Sequence, residues 1–372
     1  MGAPDLWNLF LFLAALGLVC LALLFYWLAW TRRPLRLHRM AQNPVLSPDP
    51  GAWWESEAVF NPAAVYDNGK VHLFYRALWR DGISRVGYAS SDDGIHFERL
   101  PYPVYDAGAG FTIPDPRRRY APLSYSPALY ASGGGWGGTE DPRAVIIEDR
   151  LYMNLSTFEA WESIRMALTS LPREDLHAGR WSWKRPFFIS PPGETHKNWV
   201  LFPEKIRGKF ALLHALTPKP TVEYVDDLDE LEREPVKSNN RRGGREGRWD
   251  AFVRGASAPP IKTPHGWLLF YHGMDPKESH IGYKVGAMLL ELDDPSKVLF
   301  RSAYPVLEPE AWYEHDWKPH VVYASGAVVV GNDLIVYYGG GDKHVAAARA
   351  DFRDFVRKLM TGDHATLEPV RV

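Results

Sequence analysis

Cysteine is all but missing from this 372-residue chain: Cys20 is the only one, and it lies inside an apolar N-terminal stretch. An intrachain disulfide is thereby excluded, which is compatible with a reducing compartment. Paired cysteines are absent and the thirteen histidines do not fall at zinc-site spacings, so no metal centre and no bound cofactor are expected. There is no GxSxG elbow, P-loop or dinucleotide fingerprint. Charge of one sign is lacking too. A formal net charge of -2 supplies no whole-protein field to hold nucleic acid, so an anionic partner has to be met by a local cluster of Arg and Lys.

What is present is apolar and aromatic. With 46% hydrophobic and 24% charged residues the chain reads as globular. Fifteen Trp and eighteen Tyr exceed ordinary need. They fit either the core of a propeller or sandwich, or flat faces on which sugar rings stack.

From Leu6 to Trp30 no charged residue occurs and the polar content is essentially Asn8. At 1.5 Å per residue such a helix spans a bilayer core of about 30 Å. A cleaved signal peptide, the rival reading, carries positive charge before a shorter apolar core and ends in small residues. Here Asp5 precedes the run, whereas Arg32, Arg33, Arg36, His38 and Arg39 follow it, with Trp7, Trp27 and Trp30 at interfacial positions. Residues 1–40 are therefore read as a single-pass membrane anchor (helix about 6–30) with a basic flank. The positive-inside rule then puts residue 31 onward in the cytoplasm.

The rest of the chain repeats one pattern. A turn pair or triplet precedes an apolar, aromatic strand in NGK-VHLFYRA, EDR-LYMNLST, RGK-FALLHAL, HG-WLLFYHG and GND-LIVYYGG. A second strand with small and polar alternation follows most of them, as in SRVGYASS, SIRMALTS, GYKVGAML and KHVAAARA; the third copy matches poorly. No long amphipathic helical period is found after residue 40. Five such units predict an all-β fold, a five-bladed β-propeller over 41–372 preceded by the single transmembrane helix, with a sandwich pair as the alternative. Two stretches interrupt the pattern, 101–139 and 225–249. The second turns from acidic (DDLDELERE) to basic (NNRRGGREGR) and reads as a solvated excursion.

Polar residues embedded at the ends of the apolar strands are costly to bury unpaired. Arg76, His272 and Asp342 are such residues. They either pair as a structural network or converge on a pocket at one end of the channel that these strands, taken as the first of each blade, would line. Asp141 follows a glycine run and precedes Pro142, which disfavours the helical region and should hold its carboxylate on extended backbone. Lys205, after Phe202-Pro203, is either a pocket donor or a surface lysine.

In order, FNPAAVYDNGKVHLFYRA, TEDPRAVIIEDRLYMNLST, NWVLFPEKIRGKF, GASAPPIKTPHGWLLFYHG, LELDDPSKVLFRSAYPVLEPE and GAVVVGNDLIVYYGGGD resemble the β-mannoside phosphorylases and mannosidases of glycoside hydrolase family 130, across about residues 55–350. The resemblance implies a five-bladed propeller with a central pocket and an inverting phosphorolysis of β-mannosides to α-mannose 1-phosphate. It makes Asp141 the proton donor, acting directly or through a sugar hydroxyl, and Asn61, Arg76 and Asp342 the contacts to the sugar. Phosphate, the co-substrate, falls to Arg143, Arg165, Lys205, Tyr271 and His272. A phosphorylase needs no base, because phosphate is already an anionic nucleophile that Arg, Lys and a charged His can hold. The donor, however, has to be protonated near neutrality, through burial or a carboxylate neighbour such as Glu140. The alternatives are an inverting hydrolase, for which Glu204 or Asp342 would have to serve as base, and a membrane-associated mannosyl-transfer or sugar-binding protein. The linkage and acceptor sugar stay open.

Overall fold

The computed structural model describes residues 4–31, 35–106, 135, 137–159, 163–239, 243–277 and 282–361. Most of the 101–139 interruption thus falls outside the described residues. The chain divides into Met1–Leu35 and Arg36–Val372. The first holds helix α1 (Pro4–Thr31), 28 residues long, whose Trp7–Leu24 window is long and apolar enough to cross a membrane.

The second is mostly β. Strands β2 (Ala58–Asp67), β3 (Lys70–Leu78), β4 (Ile83–Ser91) and β5 (Glu98–Arg99) form one antiparallel meander. A second is built from β6 (Gly137–Ile147), β7 (Arg150–Glu159), β8 (Ser163–Pro172) and β9 (Phe187–Phe188). Ile83 and Ser84 pair in parallel with Gly137 and Gly138, which joins these two into one sheet. The third meander is the smallest, with β10 (Val200–Leu201), β11 (Phe210–Ala215) and β12 (Thr221–Val225). The fourth holds β13 (Phe252–Ala256), β14 (Ile261–Thr263), β15 (Gly266–Met274), β16 (Lys284–Leu290) and β17 (Val298–Arg301). The fifth holds β18 (Val322–Val330), β19 (Asp333–Gly340) and β20 (His344–Asp351). Its outer edge is covered by β1 (His38–Arg39), paired at His38↔Arg349. Two residues assigned from sequence to the anchor's flank are therefore part of the sheet structure.

Short turns set the register. Asn68-Gly69 joins β2 to β3 with φ of 47° and 77°, and both left-handed residues match the twist that a two-residue hairpin requires. Hydrophobic clusters lie between the first and second, second and third, third and fourth, and first and fifth meanders; in the last of these Leu73 and Tyr75 share a cluster with Ile335 and Tyr337. Strands such as β3 bury both faces, which explains their almost unbroken apolar sequence.

The repeated apolar strands are second, not first, in their meanders. Ahead of each runs an inner strand, and β2 lies against both β18 and β6. What hid these strands is their irregularity: β2, β6, β13 and β18 carry bulges at Phe60/Ala63, Glu140/Arg143, Val253/Gly255 and Ala324/Gly326, which break the two-residue alternation. The 225–249 segment is also not a solvated excursion. Leu228, Leu231 and Val236 join the cluster between the second and third meanders, and Arg245 is buried against Asp250, so its acidic and basic residues flank buried anchors.

Candidate active site

Two of the bulges build the site. Asn61 and Asp141 are the bulged residues of β2 and β6, each followed by proline, with φ of 47° and 48°. The extended backbone expected for Asp141 is thus replaced by the left-handed region, which Asn and Asp tolerate better than most residues. Pro62 and Pro142 cost no ladder hydrogen bond, since a bulge leaves a residue unpaired. A bulge re-aims its side chain, and here it turns the two toward each other: Asn61 Nδ2 donates to Asp141 Oδ1 at 2.8 Å. Gly339 permits the approach, because a Cβ there would lie 2.2 Å from Asn61 Oδ1.

Arg76, fully buried in β3, ties the constellation together. Its Nη1 lies 3.4 Å from Asp141 Oδ1, its Nη2 donates to Glu140 Oε1 at 2.8 Å and its Nε to Ser84 Oγ at 2.9 Å. The guanidinium also sits 4.7 Å from the centre of the Phe60 ring. Lys197 Nζ donates to the other oxygen of Glu140 at 3.1 Å. Asp141 Oδ2 has no hydrogen-bond partner among the described residues, and Asn61 Oδ1 is a buried acceptor in the same position. Asp342, left-handed at φ 54°, closes the site with Lys318 Nζ 3.9 Å away.

The electrostatics differ from the expectation. Burial alone would raise the Asp141 carboxyl, but Arg76, then Lys197 and Arg143, and the Asn61 amide hold it down to about 2. Asp141 is therefore ionised at neutral pH in this arrangement, not the protonated donor predicted. It is Asp342 that burial pushes up, against the pull of Lys318 and Arg76. Burial, with the charge of Arg143, depresses His272 well below its ordinary value, so this imidazole is neutral rather than a cation.

Of the residues assigned to phosphate, Arg143 and His272 are near the site; Arg143 spends its donors on protein atoms while its charge still acts on Asp141, and His272 carries no charge. Arg143 Nη1 donates to the Asp141 carbonyl at 2.9 Å, and its Nε to the Ser257 carbonyl, so it braces the β6 bulge from the protein side. His272 stacks on Tyr323 with ring centroids 3.8 Å apart. Since Ser257 Oγ donates to the Ala324 carbonyl, His272 Nε2 has to donate to Ser257 Oγ, at 2.9 Å, which leaves buried Nδ1 as an acceptor without a partner among the described residues.

Of the remaining three, Tyr271 and Lys205 lie elsewhere. Tyr271 points to the other face of β15, where its hydroxyl donates to Asp250 at 2.7 Å beside Arg301, because successive strand residues face opposite ways. Arg165 is held by the Ser190 carbonyl and stacks on Phe188 at 3.6 Å. Lys205 is at a hairpin turn, bonded to exposed Glu148 at 2.9 Å and 4.6 Å above Phe210. Glu204, a possible hydrolytic base, pairs with Lys262. Exposed pairs of this kind contribute about 0–1 kcal/mol. Lys205→Ala is thus expected to leave turnover and the phosphate KM within about twofold, the scale of such a loss, as steady-state kinetics would show.

Sequence reasoning missed Lys197, Asn198, Arg254 and Lys318. Asn198, left-handed at φ 65°, accepts a hydrogen bond from Tyr323 and is the third meander's counterpart of Asn61 and Asp141. Arg254 is half-buried, its carbonyl accepts from Asn198 Nδ2 at 3.5 Å, and its guanidinium, which acts on His272, Tyr283 and Tyr323, has no hydrogen bond or ion pair among the described residues. Asn198 stands directly before an apolar strand, as Asn61 and Asp141 nearly do, and that parallel was the available signal. Among the described residues no group of His, Cys, Asp and Glu could hold a metal.

A family model described as beta-1,4-mannooligosaccharide phosphorylase matches residues 132–360. A 1,2-beta-oligomannan phosphorylase of Thermoanaerobacter sp. (strain X514) is 36% identical over 332 residues, covering 86% of this chain and 99% of the relative. A beta-1,2-mannobiose phosphorylase from the same organism is 34% identical, covering 84% and 96%. Among solved structures, a putative glycoside hydrolase from Bacteroides ovatus superposes with a TM-score of 0.65 at 28% identity, over 87% of this chain and 97% of the other. The fold is accordingly mostly β and propeller-like, and the chain belongs to glycoside hydrolase family 130, the family of the mannoside phosphorylases.

Proposed function

We propose that this enzyme phosphorolyses β-mannosides with inversion, giving α-mannose 1-phosphate. The observation that carries the proposal is charge. Arg76, Arg143, Lys197, Arg254 and Lys318 outnumber Glu140, Asp141 and Asp342 by two, a surplus that a phosphate dianion would neutralise. A hydrolase would need a carboxylate base instead. Glu204 is an exposed side chain paired with Lys262, and burial raises the Asp342 carboxyl, which disfavours its basic form.

In this reading Asn61, Arg76 and Asp342 hold the mannosyl unit to be cleaved, while Arg254 and Lys197 receive phosphate beside neutral His272. Arrival of the dianion offsets the cations that keep Asp141 ionised, so the carboxyl gains a proton only in the loaded site. A phosphate oxygen then attacks the anomeric carbon from the face opposite the glycosidic oxygen. The C1–O bond breaks, its electron pair goes to the leaving oxygen, and Asp141 supplies the proton directly or through a sugar hydroxyl. Monohydrogen phosphate plus glycoside gives mannose 1-phosphate dianion plus free alcohol, so the proton on the alcohol is matched by the one phosphate gives up. No base is consumed.

Incubating the protein with β-1,2- and β-1,4-mannobiose tests this. Mannose 1-phosphate is expected only with phosphate present; release of free mannose without phosphate would establish the hydrolase. Arg254→Ala should raise the phosphate KM at least about tenfold, the scale of a charge-assisted contact, with the mannoside KM little changed.

The proposal extends to architecture and place. The five meanders are read as five propeller blades around the Asn61–Asp141 axis, with 1–40 anchoring the catalytic domain 41–372. By the positive-inside rule that domain is cytoplasmic, where phosphate is plentiful. Arg36 and Arg39, counted as part of the basic flank, are already paired with Glu308, Glu310 and Glu314, so the orientation rests on Arg32 and Arg33. Resistance of the domain to protease added outside sealed spheroplasts supports this placement, and digestion would refute it.

A further inference from the structure

Three tryptophans beside the site have no part in the chemistry above. Trp317 packs against a small cluster of Ala58, Phe60 and Leu78, and Phe60 is the ring beneath Arg76. The next residue, Lys318, is the partner of Asp342. Trp79 follows Leu78 directly at the end of β3, and its ring meets Trp53 edge to face, with centroids 5.5 Å apart at 86°. Trp53 is 55% exposed. It is nonetheless braced: the Arg85 guanidinium lies 5.2 Å from its ring centre and is itself fixed by Asp81 at 2.8 Å and the Ile83 carbonyl at 3.1 Å.

Two of the indoles thus adjoin, by packing or along the chain, the residues assigned to the cleaved sugar, and Trp53 lies against the second of them. Trp79 lies three residues past Arg76 and just beyond the end of β3, about 10 Å along the chain at the rise of a strand. None of the three indole N–H groups has a hydrogen-bond partner among the described residues. An indole that is held rigid yet left open offers a flat apolar face with a donor at its rim, complementary to the C–H face and hydroxyl edge of a pyranose. A core role would have buried Trp53, as it buries its neighbour Trp54.

We propose that Trp317, Trp79 and Trp53 form a platform for the acceptor side of a longer mannoside chain, making this enzyme selective for oligosaccharides over disaccharides. The inference rests on the mannoside reading of the Asp141 site.

The test uses the full chain, Trp53→Ala, Trp79→Ala and the double variant, with β-mannobiose, β-mannotriose and β-mannotetraose in both linkages at saturating phosphate. The wild-type KM is expected to fall as the substrate lengthens. In the double variant the tetraose KM should rise at least about tenfold, one well-formed aromatic contact in affinity, while kcat/KM for the disaccharide is unchanged. An equal effect at every length, or none, overturns the platform. Failure of the wild type to phosphorolyse any mannoside would overturn the activity reading instead. The platform is then decided by calorimetric titration of tetraose and biose into Asp141→Asn protein with and without the two tryptophans: loss of tetraose affinity alone supports it, and equal binding or no binding to either protein refutes it.

Discussion

Asp141→Asn is expected to lower kcat for mannobiose phosphorolysis at least about 10²-fold, the usual share of a general acid, with the mannoside KM little altered. The substitution keeps the shape of the side chain and the oxygen that accepts from Asn61, but a carboxamide neither takes up nor gives a proton. The loss should depend on the leaving group. A nitrophenyl mannoside departs as a stable anion and needs no proton, so its phosphorolysis should be nearly normal in the variant. An equally large loss with that substrate would make Asp141 a positioning residue and sink its role as donor.

The same substitution has a stability signature. The carboxyl of Asp141 is held at about 2 in the folded chain against 3.8 ordinarily. A depressed folded value stabilises above the unfolded one, and the gain is lost as pH falls from about 4 toward 2. At 1.36 kcal/mol per unit that is about 2 kcal/mol, so Asp141→Asn should melt lower at pH 7 and show a shallower loss of stability below pH 4. Phosphate is expected to shift the balance: if it lifts the carboxyl as proposed, phosphate binding at pH 7 is accompanied by proton uptake in the wild type and by less in the variant. Calorimetry in buffers of different ionisation enthalpy measures this directly.

How far the sequence reveals this site depends on which signal each residue left. The second strands of the meanders were legible because two buried faces give a continuous apolar run with turn residues before it, as in NGK-VHLFYRA. The inner strands were not, because their bulges break alternation at the residues that matter, Asn61-Pro62 and Asp141-Pro142. Arg76 and Asp342 could be picked out as charges embedded in apolar surroundings. Lys197 and Arg254 could not, since a lysine in a loop or an arginine on a short bulged strand looks the same in sequence whether it faces a pocket or solvent. Tyr271 and His272 show the limit most plainly. They are adjacent in one motif, yet strand geometry sends one to Asp250 and the other to Ser257. Lys205 sits in a motif that belongs to the family, but its own strand end faces Glu148.

Arg76→Met is expected to cost about 3–5 kcal/mol of stability, the scale for stranding a buried charge, and to abolish activity. Arg76 and Glu140 are both fully buried and bonded at 2.8 Å, and removing the guanidinium takes that partner from Glu140, while Lys197 Nζ stays 3.1 Å from its other oxygen. Arg76→Lys is not a conservative repair, because one ammonium cannot reproduce the fork that spans Glu140, Asp141 and Ser84. The double variant Arg76→Met/Glu140→Gln separates the two roles of the arginine. With the stranded carboxylate neutralised, urea unfolding of the full chain should recover most of the lost stability, a positive coupling of the kind that contacting charged residues give. Activity should not return, since the mannosyl unit still lacks the guanidinium that holds it. Recovery of both together would mean that Arg76 serves only to neutralise Glu140, and the sugar-binding role assigned to it would fall. Recovery of neither would mean that the guanidinium braces the β6 bulge itself. The left-handed Asp141 would then be the element that fails, and restoring phosphorolysis would require the arginine's shape as well as its charge.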